Sequence, residues 1–488
     1  MKMLLCNPPT NIPQPDGRVM SAVKAGSGWP FTYLRKPGQD IGYCTFPLYL
    51  STAAALLIRE PNVTVFVRDS VALDENEYEF LRYVYSIQPD VIFWEPPTVT
   101  IDDEVDLAQV LQKLYPRPVV VWGGAHVTAL PHETADLVGK SVHHFITGEY
   151  ELALVDLVKS LMDQKIMPPR FIEGRKVDMK TCPWPARFLF PTNNAPDLAC
   201  YKDGFYSTFP AAVMWASRGC IHDCPYCAEV NLIEGAMRNR LVKDVVAEME
   251  SLALRGVRHV YFDDNNFTGN VAFTGKLCDE MILRGLPHRV SWSAMASFMG
   301  RTDEALIRKM KEAGCTGLKF GVDSADETVL KELRRPLDLE KCKALCRLCN
   351  RIGIKTHATM AIGHFSDTKE TLNKALAYLK ELSVDTIQVS VAAPFPGLEM
   401  FNRLKAANRL ASTHWRDFSG IGKSVVRFPD MTPEYVEAFR MKMDHDWVQH
   451  KLRHDWGWKW RHFKYVWRDC WSNPGLVIRR IKQVIHFA

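Results

Sequence analysis

The chain has 488 residues, of which 47% are hydrophobic and 24% charged, a composition typical of a globular protein with several domains. This composition excludes a disordered, collagen-like or disulfide-scaffold chain. No apolar run is long enough to cross a bilayer, and the opening MKMLLCNPPT is too short and too soon broken by proline to be a secretory signal. The thirteen cysteines are therefore expected as thiols in a reducing, cytoplasmic compartment.

The net charge of +5 is unevenly placed along the chain. Residues 451–488 contain nine Lys or Arg and two Asp, so this tail carries +7 and the rest of the chain about −2. The charge of the body argues against nucleic acid as a partner. Tryptophans lie among the cations of the tail, which leaves open contact with an anionic membrane surface or a helical cap that packs its aromatics on the preceding domain. The cap is favoured, and RNA stacking is a distant third.

Residues 1–162 alternate short β-branched runs with longer amphipathic segments, which predicts an α/β, Rossmann-like domain with a parallel sheet. The predicted strands are Lys2–Cys6, Val63–Val67, Asp90–Trp94, Pro118–Trp122 and His143–Ile146. The predicted helices are Leu48–Ile58, Glu75–Ser86, Ile101–Tyr115 and Tyr150–Met162. Residues 163–210 are rich in proline and weakly periodic, which predicts a linker or a functional loop rather than core.

The alternation resumes over residues 211–400 and predicts a partial (β/α)6 barrel with its site at the carboxyl ends of the strands. The predicted strands are Ala212–Ala216, His259–Phe262, Val290–Ala294, Gly317–Gly321, Lys355–Met360 and Thr386–Val391. The predicted helices are Val242–Leu254, Ala272–Arg284, Asp303–Ala313, Leu339–Arg351 and Thr368–Leu382. The alternation of strands and helices ends at about residue 400, and the pattern of residues 401–488 predicts a third, mainly helical region.

Three cysteines follow the first barrel strand in a loop with the spacing C-x3-C-x2-C: Cys220, Cys224 and Cys227. Three thiolates this close together can bind one [4Fe-4S] cube and leave its fourth iron without a protein ligand. Zinc is the rival, with His222 or a distant residue as fourth ligand, although structural zinc sites usually show two cysteine pairs. Unliganded core thiols are the remaining interpretation, but this segment is neither apolar nor periodic. The pattern favours an iron–sulfur cluster.

The segment resembles the radical S-adenosylmethionine (SAM) enzymes, which have this cysteine spacing with an aromatic residue, here Tyr226, before the last cysteine. The resemblance continues through residues 239–248, 260–267 and 310–324, and through the turns at 362–363 and 393–397. It implies that the cluster binds SAM and that an electron from an external flavodoxin- or ferredoxin-type donor releases a 5′-deoxyadenosyl radical.

The same resemblance implies a role for each matching residue. The three cysteines would hold the cluster and Tyr226 would approach the adenine of SAM. Asp263 and Asp264 would lie near the methionine amine, although Asp264 can also be an acidic helix cap. Asp323 and Ser324 stand where relatives usually have Glu-Ser, at the ribose, and the shorter carboxylate reaches less far.

Two segments of the first domain carry a second resemblance. The strand at 118–122 ends in Gly123-Gly124-Ala-His126, and Gly148-Glu149 follows the next strand. A lone Gly-Gly turn is weak evidence, because it can simply be a tight turn. Together, however, the segments resemble the cobalamin-binding domain of the radical SAM branch that includes methyltransferases and the anaerobic magnesium-protoporphyrin monomethyl ester cyclase. The resemblance implies cobalamin contacts at these five residues, Gly123, Gly124, His126, Gly148 and Glu149.

One departure from other cobalamin proteins is the absence of the Asp-x-His-x-x-Gly motif that supplies a lower histidine ligand. Members of this branch commonly lack the motif as well. Its absence leaves open a degenerate domain that no longer binds cobalamin.

A second C-x3-C-x2-C triplet, Cys342, Cys346 and Cys349, lies within a helical pattern. These positions share one helix face with leucines, and cysteine packs as a small hydrophobe. The core interpretation is favoured over an auxiliary cluster.

The leading functional prediction is methyl transfer from SAM, through cobalamin, to an unreactive carbon of a small-molecule, lipid-like or pigment substrate. The alternative is a ring-forming or oxidative reaction without methyl transfer, as in the cyclase relatives. A non-catalytic iron–sulfur redox sensor is the alternative outside enzymes.

Overall fold

The structure is a computed structural model that describes residues 1–13, 19–23, 31–35, 44–163, 167–191, 201, 208–420 and 422–461. Its framework is two six-stranded parallel sheets. Each sheet is covered by the helices that connect its strands, as parallel sheets require.

The first region contains nine strands and six α-helices among the described residues. The strands are β1 (Lys2–Asn7), β2 (Asn11–Pro13), β3 (Val19–Val23), β4 (Phe31–Arg35), β5 (Thr64–Asp69), β6 (Val91–Trp94), β7 (Val119–Trp122), β8 (His144–Thr147) and β9 (Phe171–Glu173). The helices are α1 (Leu48–Leu57), α2 (Glu77–Ile87), α3 (Ile101–Leu114), α4 (Ala125–Ala129), α5 (Pro131–Val138) and α6 (Glu151–Asp163).

Six of these strands form the parallel sheet in the order β5-β1-β6-β7-β8-β9, and β2–β4 form a separate antiparallel sheet. The strand order reverses at β1, between β5 and β6, so that a crevice is expected outside the carboxyl ends of these strands. The central strands β6 and β7 read VIFW and VVVW, the near-continuous apolar runs of strands covered on both faces. The predicted Rossmann-like domain is confirmed.

The predicted linker contains an element that the sequence pattern did not indicate. Residues Phe171–Glu173 form β9, which pairs in parallel with β8 at the edge of the first sheet. A three-residue strand has almost no periodicity of its own, because its order comes from the neighbouring strand.

In the described part of the second region there are eight strands, a π-helical turn over Glu229–Glu234 and eight α-helices. The strands are β10 (Ala211–Met214), β11 (Ser217–Arg218), β12 (Arg238–Asn239), β13 (His259–Phe262), β14 (Ser291–Ala296), β15 (Cys315–Gly321), β16 (Lys355–Ile362) and β17 (Thr386–Val391). The helices are α7 (Val242–Leu254), α8 (Val271–Leu283), α9 (Glu304–Glu312), α10 (Glu327–Glu332), α11 (Leu339–Ile352), α12 (Lys369–Glu381), α13 (Glu399–Ala406) and α14 (Pro433–His454).

The six barrel strands pair in chain order, β10-β13-β14-β15-β16-β17, all parallel. Among the described residues β10 and β17 do not pair, so the sheet is a partial barrel, as predicted. The outer faces of its strands pack on the surrounding helices in one core. Cys342, Cys346 and Cys349 lie fully buried on the inward face of α11 within this core, as the packing interpretation expects.

The first region closes the open side of the barrel next to β10. Val213 and Trp215, from the segment at β10, share a hydrophobic cluster with Phe46 and Tyr49 of the first region. Tyr49 packs edge-on against Trp215, with ring centroids 4.8 Å apart. The two regions are therefore joined by a packed apolar interface beside the carboxyl ends of both sheets.

The start of the C-terminal tail packs against the barrel. Trp458 is buried, its indole N–H donates to the backbone oxygen of Asp385 over 2.8 Å, and its ring meets that of Trp447 at a right angle. This packing is what the cap interpretation expects for the part of the tail that is described. Residues 462–488, on which the membrane interpretation depends, lie outside the described residues. Within the described chain, no helix combines the length and the apolar character needed to span a bilayer.

Candidate active site

The carboxyl ends of the barrel strands surround one cavity of about 260 Å³. Seven of the residues predicted for the cluster and for SAM line this cavity: Cys220, Cys224, Tyr226, Cys227, Asp263, Asp264 and Asp323. Segments that are up to about a hundred residues apart in sequence thus meet at one place, as expected for a parallel barrel.

The cysteine loop is shaped by backbone contacts rather than by its own side chains. Gly219 has φ +80°, and a Cβ there would lie 2.4 Å from the oxygen of Ala236, so only glycine fits. The amide of Asn231 donates to the backbone oxygens of Cys224 (2.9 Å) and Cys227 (2.7 Å). These bonds hold the loop while its thiols line the cavity.

The thiols fit a cationic metal cluster. Burial raises the pKa of Cys227 to about 12, and the charges of Glu229, Cys224 and Cys220 act in the same direction. Three thiolates in this setting need positive charge beside them, which the irons of a cluster provide. The sulfur of Cys220 also accepts the backbone N–H of His222 over 3.5 Å, a contact of the kind that tunes iron–sulfur clusters. Within the described residues, no three His, Cys, Asp or Glu side chains converge on a single-ion site.

Tyr226 belongs to a polar group that includes a residue the sequence interpretation missed. Its hydroxyl donates to Oδ2 of Asp323 over 2.9 Å. The guanidinium of Arg335 lies 2.8 Å from the same Oδ2 and donates to the backbone oxygen of Gly321 over 2.7 Å. Asp323 itself has φ +62°, which these contacts stabilise. The Asp323 carboxylate is therefore paired with the Arg335 cation and held in place in the cavity wall.

Asp264 fastens the cysteine loop to the barrel. Its carboxylate accepts the N–H of Ala216 over 3.0 Å and the hydroxyl of Ser217 over 2.5 Å. Burial raises its pKa to about 7. Asp264 is not a helix cap, because α8 is capped by Asn270. Its oxygens are already used in the loop, although its side chain borders the cavity.

The other two predicted SAM residues are placed differently. Asp263 lines the cavity at the end of β13. Ser324 is buried behind the wall, where its hydroxyl accepts the N–H of Asp326 over 3.1 Å, and it does not line the cavity. The predicted ribose contact at Ser324 therefore has no support from the geometry.

The three glycines predicted to contact cobalamin, Gly123, Gly124 and Gly148, meet at the carboxyl edge of the first sheet. The hydroxyl of Thr128 donates to the oxygen of Gly124 (2.7 Å) and accepts the N–H of Gly148 (2.8 Å), which ties the two turns together. Gly124 has φ +89°, and a Cβ there would lie 2.9 Å from Glu95 Oε2. Gly123 directly follows β7, and the added Cβ of Gly148 would meet open space. The side chains of Phe93 and Glu95 thus fill the space beside Gly123 and Gly124, whereas Gly148 leaves the open space that a bulky ligand needs for close approach to the backbone.

His126 and Glu149 do not face this edge. His126 is buried, its Nδ1 lies 3.1 Å from the hydroxyl of Thr98, and burial lowers its pKa to about 4. It borders a separate apolar cavity with Trp415 and Phe401. The Glu149 carboxylate accepts the N–H of Val177 over 2.8 Å. The structure thus gives both side chains other partners than those predicted.

Glu149 belongs to a buried ionic network between the two regions, which the sequence did not indicate. Arg218 is fully buried, 2.6 Å from Glu151 and 3.5 Å from Glu149. Its guanidinium is stacked between the rings of Trp215 (4.0 Å) and Tyr49 (4.5 Å). The hydroxyl of Tyr49 in turn contacts Glu229 and Glu234, at the two ends of the π-helical turn after Cys227.

Residues 216–379 match the family model described as the Radical SAM superfamily. The chain therefore has a radical SAM domain and is a radical SAM enzyme, and such a domain implies a [4Fe-4S] cluster and SAM.

The relatives extend the match beyond this domain. An uncharacterized methyltransferase of Pyrococcus horikoshii is 24% identical over 98% of this chain and 97% of its own length. Cytidylyl-2-hydroxyethylphosphonate methyltransferase of Streptomyces wedmorensis is 26% identical over 74% of this chain and 78% of its own. The anaerobic magnesium-protoporphyrin IX monomethyl ester cyclase of Cereibacter sphaeroides is 24% identical over 65% of this chain, which spans only 54% of that protein.

Two solved structures share the fold across both regions. The cobalamin-dependent radical SAM enzyme OxsB aligns with 91% of this chain and 67% of its own, at a TM-score of 0.69 and 13% identity. The methyltransferase TsrM from Kitasatospora setae aligns with 84% of this chain and 77% of its own, at a TM-score of 0.62 and 16% identity. These two enzymes thus share with this chain the fold of the radical SAM domain and of the region that precedes it.

Proposed function

We propose that this protein is a cobalamin-dependent radical SAM methyltransferase that methylates an unactivated carbon of a small molecule. The observation that carries the proposal is the meeting of three thiols, Tyr226 and the Arg335–Asp323 pair in one cavity, beside the glycine edge of the first sheet. The two sites lie close together, because a Cβ at Gly397 would be 2.8 Å from Ala129, on the helix that follows Gly124, and 3.1 Å from Leu232, in the π-helical turn after Cys227. The names of the two methyltransferase relatives support the reaction.

Each group of residues has a defined task in this proposal. Cys220, Cys224 and Cys227 hold the cluster, and Arg335 fixes the orientation of Tyr226 beside bound SAM. Asp263, at the end of β13, pairs with the amine of SAM. When bound, the cluster, SAM and cobalamin supply radical and methyl-transfer chemistry.

The glycine edge of Gly123, Gly124 and Gly148 receives cobalamin in this proposal. His126 and Glu149 are left out of this set, because both are committed to contacts elsewhere. We also do not propose His126 as a lower cobalt ligand, since its Nδ1 lies beside the hydroxyl of Thr98 and its ring is buried next to Trp415. In this proposal the backbone at Gly148, and not an imidazole, faces the cofactor.

A cyclase-like reaction without methyl transfer is the second candidate, favoured by the similarity to the magnesium-protoporphyrin cyclase. That similarity leaves almost half of the cyclase unmatched, so we place it second. Both reactions need an external one-electron donor, for which we propose a flavodoxin or ferredoxin.

The test is anaerobic incubation of the reconstituted, cobalamin-loaded protein with a reductant, methyl-deuterated SAM and a small-molecule cell extract. We expect 5′-deoxyadenosine together with a product heavier by one trideuteriomethyl group, as measured by mass spectrometry. A product that has lost hydrogen without gaining a methyl group would support the cyclase reaction instead. Absence of 5′-deoxyadenosine from protein with a full iron complement would refute both reactions and support a redox sensor.

The chain offers a matched control for this test. Cys224→Ser removes a thiol of the loop, and we expect it to abolish formation of 5′-deoxyadenosine and most cluster iron. Cys346→Ser changes the equivalent position of the second triplet, which is buried in the core on α11. We expect the Cys346→Ser protein to keep its cluster iron.

A further inference from the structure

We infer that the start of the C-terminal tail binds the surface of a membrane that contains anionic lipid. The contact is made by one exposed face, the tryptophan face, which consists of Leu452, Trp456 and Trp460. It is a contact with the headgroup layer and not a passage across the bilayer. The inference goes beyond the proposed function and does not depend on it.

The start of the tail has two faces with opposite surroundings. Residues 456–461 are helical, so Trp456 and Trp460, four positions apart, share a face, and Trp458 between them points to the other side. Trp458 is 6% exposed and packs on the barrel, whereas Trp456 is 78% and Trp460 60% exposed. Leu452, on the last turn of α14, is 37% exposed. The packing that caps the barrel therefore leaves the tryptophan face outside.

Two exposed tryptophans on one face mark a contact surface. Tryptophan is among the most buried residue types on average, because its large ring is mostly apolar. The one other exposed tryptophan among the described residues, Trp184, is 39% exposed and donates its indole N–H to Asp244 over 2.8 Å. Tryptophan is enriched where a bilayer meets water, since its ring lies among the lipid headgroups there.

Two cations lie beside the tryptophan face. The ammonium group of Lys459 lies 4.1 Å from the centre of the Trp456 ring, so the charge and the ring reach the same surface together. Arg453 is exposed on the last turn of α14. When the ring enters the headgroup layer, these cations meet lipid phosphate groups. Each such cation strengthens binding to an anionic surface by about fivefold.

The acid nearby does not offset these cations. Asp455 is the only acidic residue from position 450 to position 461. Its carboxylate accepts hydrogen bonds from the ammonium group of Lys451 (3.2 Å) and from the backbone N–H of Trp458 (2.7 Å), which are both buried residues. Residues 462–488 add charge of the same sign, with five Lys or Arg and one Asp. The charge complements an anionic lipid surface and disfavours contact with the same positive face of a second copy.

The test is sedimentation of the full chain with sucrose-loaded vesicles, after anaerobic reconstitution with its cluster and cobalamin. The vesicles consist of phosphatidylcholine alone or of equal parts of phosphatidylcholine and phosphatidylglycerol. The variants are Trp456→Ala, which removes the exposed ring, and Arg453→Gln combined with Lys459→Gln, which removes both charges. The controls are Tyr78→Ala, at an aromatic residue on α2 that is 72% exposed, and Lys243→Gln, at an exposed lysine on α7.

We expect the wild type to bind the mixed vesicles at least about tenfold more tightly than phosphatidylcholine vesicles, and less so at about 1 M salt, where charges are screened. Trp456→Ala should weaken binding to the mixed vesicles by about fivefold, because less apolar surface enters the headgroup layer. The double charge variant should weaken it by roughly 10- to 30-fold. Both controls should bind within about twofold of the wild type.

The inference would be overturned by no binding to the mixed vesicles at millimolar lipid, by equal binding to both kinds of vesicle, or by unchanged binding of Trp456→Ala or of the double charge variant. Light scattering without vesicles tests the rival occupant. A wild-type dimer that Trp456→Ala converts to a monomer would assign the face to a second copy and would also overturn the inference.

Failure of the proposed function is a separate result, because binding to lipid does not depend on radical formation. The same wild-type preparation is assayed for 5′-deoxyadenosine with SAM and a reductant, and its absence counts against the function alone.

Discussion

Replacing Arg218 by Met should loosen the interface between the two regions. Arg218 is fully buried and pairs with Glu151 and Glu149, which are buried as well. Methionine has a similar length and keeps an apolar contact with Trp215 and Tyr49, so the change removes the charge more than the volume. After the substitution, Glu149 still pairs with Arg238, whereas Glu151 has lost its closest cation.

The size of the effect follows from the burial. Removing one partner of a buried ion pair typically costs about 3–5 kcal/mol, because the remaining charge has lost both water and its counter-ion. A local opening that becomes easier by about 3–5 kcal/mol accelerates amide hydrogen exchange roughly 10²- to 10⁴-fold. We expect the acceleration in α1 and β11, which adjoin Arg218.

The effect should depend on pH with a definite sign. Burial raises the pKa of Glu151, and Arg218 opposes this rise. Without Arg218, the pKa of Glu151 in the folded state rises further. The folded form is then most stable at low pH, where Glu151 is protonated, and it loses stability as the pH increases through that pKa. The difference between variant and wild type should therefore be smaller at pH 5 than at pH 8.

The assay is hydrogen exchange followed by mass spectrometry on the two proteins under native conditions. Arg308→Met is the control, because Arg308 and Glu304 form an exposed pair of the kind that contributes less than about 1 kcal/mol. Adding Glu151→Gln to Arg218→Met should restore part of the protection. Wild-type exchange rates in the Arg218→Met protein would refute the assignment of a stabilising role to this network.

Three further results are expected. The pKa of Asp264 is raised to about 7 from its ordinary 3.8, so the free energy of unfolding of the wild type should fall as the pH rises from about 4 to about 7. Urea unfolding measures this fall, which should be absent in Asp264→Asn. Cys349→Ser should retain the visible absorption of the cluster while losing stability, because Cys349 is a buried core residue, and loss of the absorption would favour an auxiliary cluster. His126 is buried, burial lowers its pKa to about 4, and its Nδ1 faces Thr98, so we do not expect it to bind cobalt. The electron paramagnetic resonance spectrum of bound cob(II)alamin should therefore be the same in the wild type and in His126→Asn.

The elements, and the position of the cysteine loop beside the barrel cavity, were predictable because their signals are local. The strands His259–Phe262 and Thr386–Val391 and the helix Val242–Leu254 have the predicted bounds, since each is a strongly periodic run between turn residues. The cysteine spacing is local in the same way, and the chemistry of three neighbouring thiols needs no tertiary information.

The residues that were missed depend on distant partners. Arg335 contacts the hydroxyl of Tyr226, 109 positions earlier in the chain, and nothing in its own neighbourhood distinguishes it from Arg334. Glu149 was interpreted from a motif, but Arg238, 89 positions later, pairs with its carboxylate. Sequence patterns show which residue types are present, whereas the pairing of buried charges is decided by the packing of the two regions.

Tyr49 makes the cysteine loop dependent on the first region. Its hydroxyl lies within hydrogen-bond distance of Glu229 and of Glu234, yet a phenol has a single proton to donate. One of the two carboxyl groups must then be protonated, and burial raises the pKa of both.

Glu229 is the better holder of that proton. Glu234 accepts the backbone N–H of Gly219 and the amide of Asn265 and is stabilised by the charge of Arg218, all of which favour its carboxylate. The pKa of Glu229 is raised further, by burial and by the charge of Glu234 itself. A neutral Glu229 and an ionised Glu234 satisfy all of these contacts. The two acids stand at the ends of the π-helical turn after Cys227, and both bind a tyrosine from α1. The position of Cys227, the third proposed cluster ligand, therefore depends on a residue that lies outside the radical SAM domain.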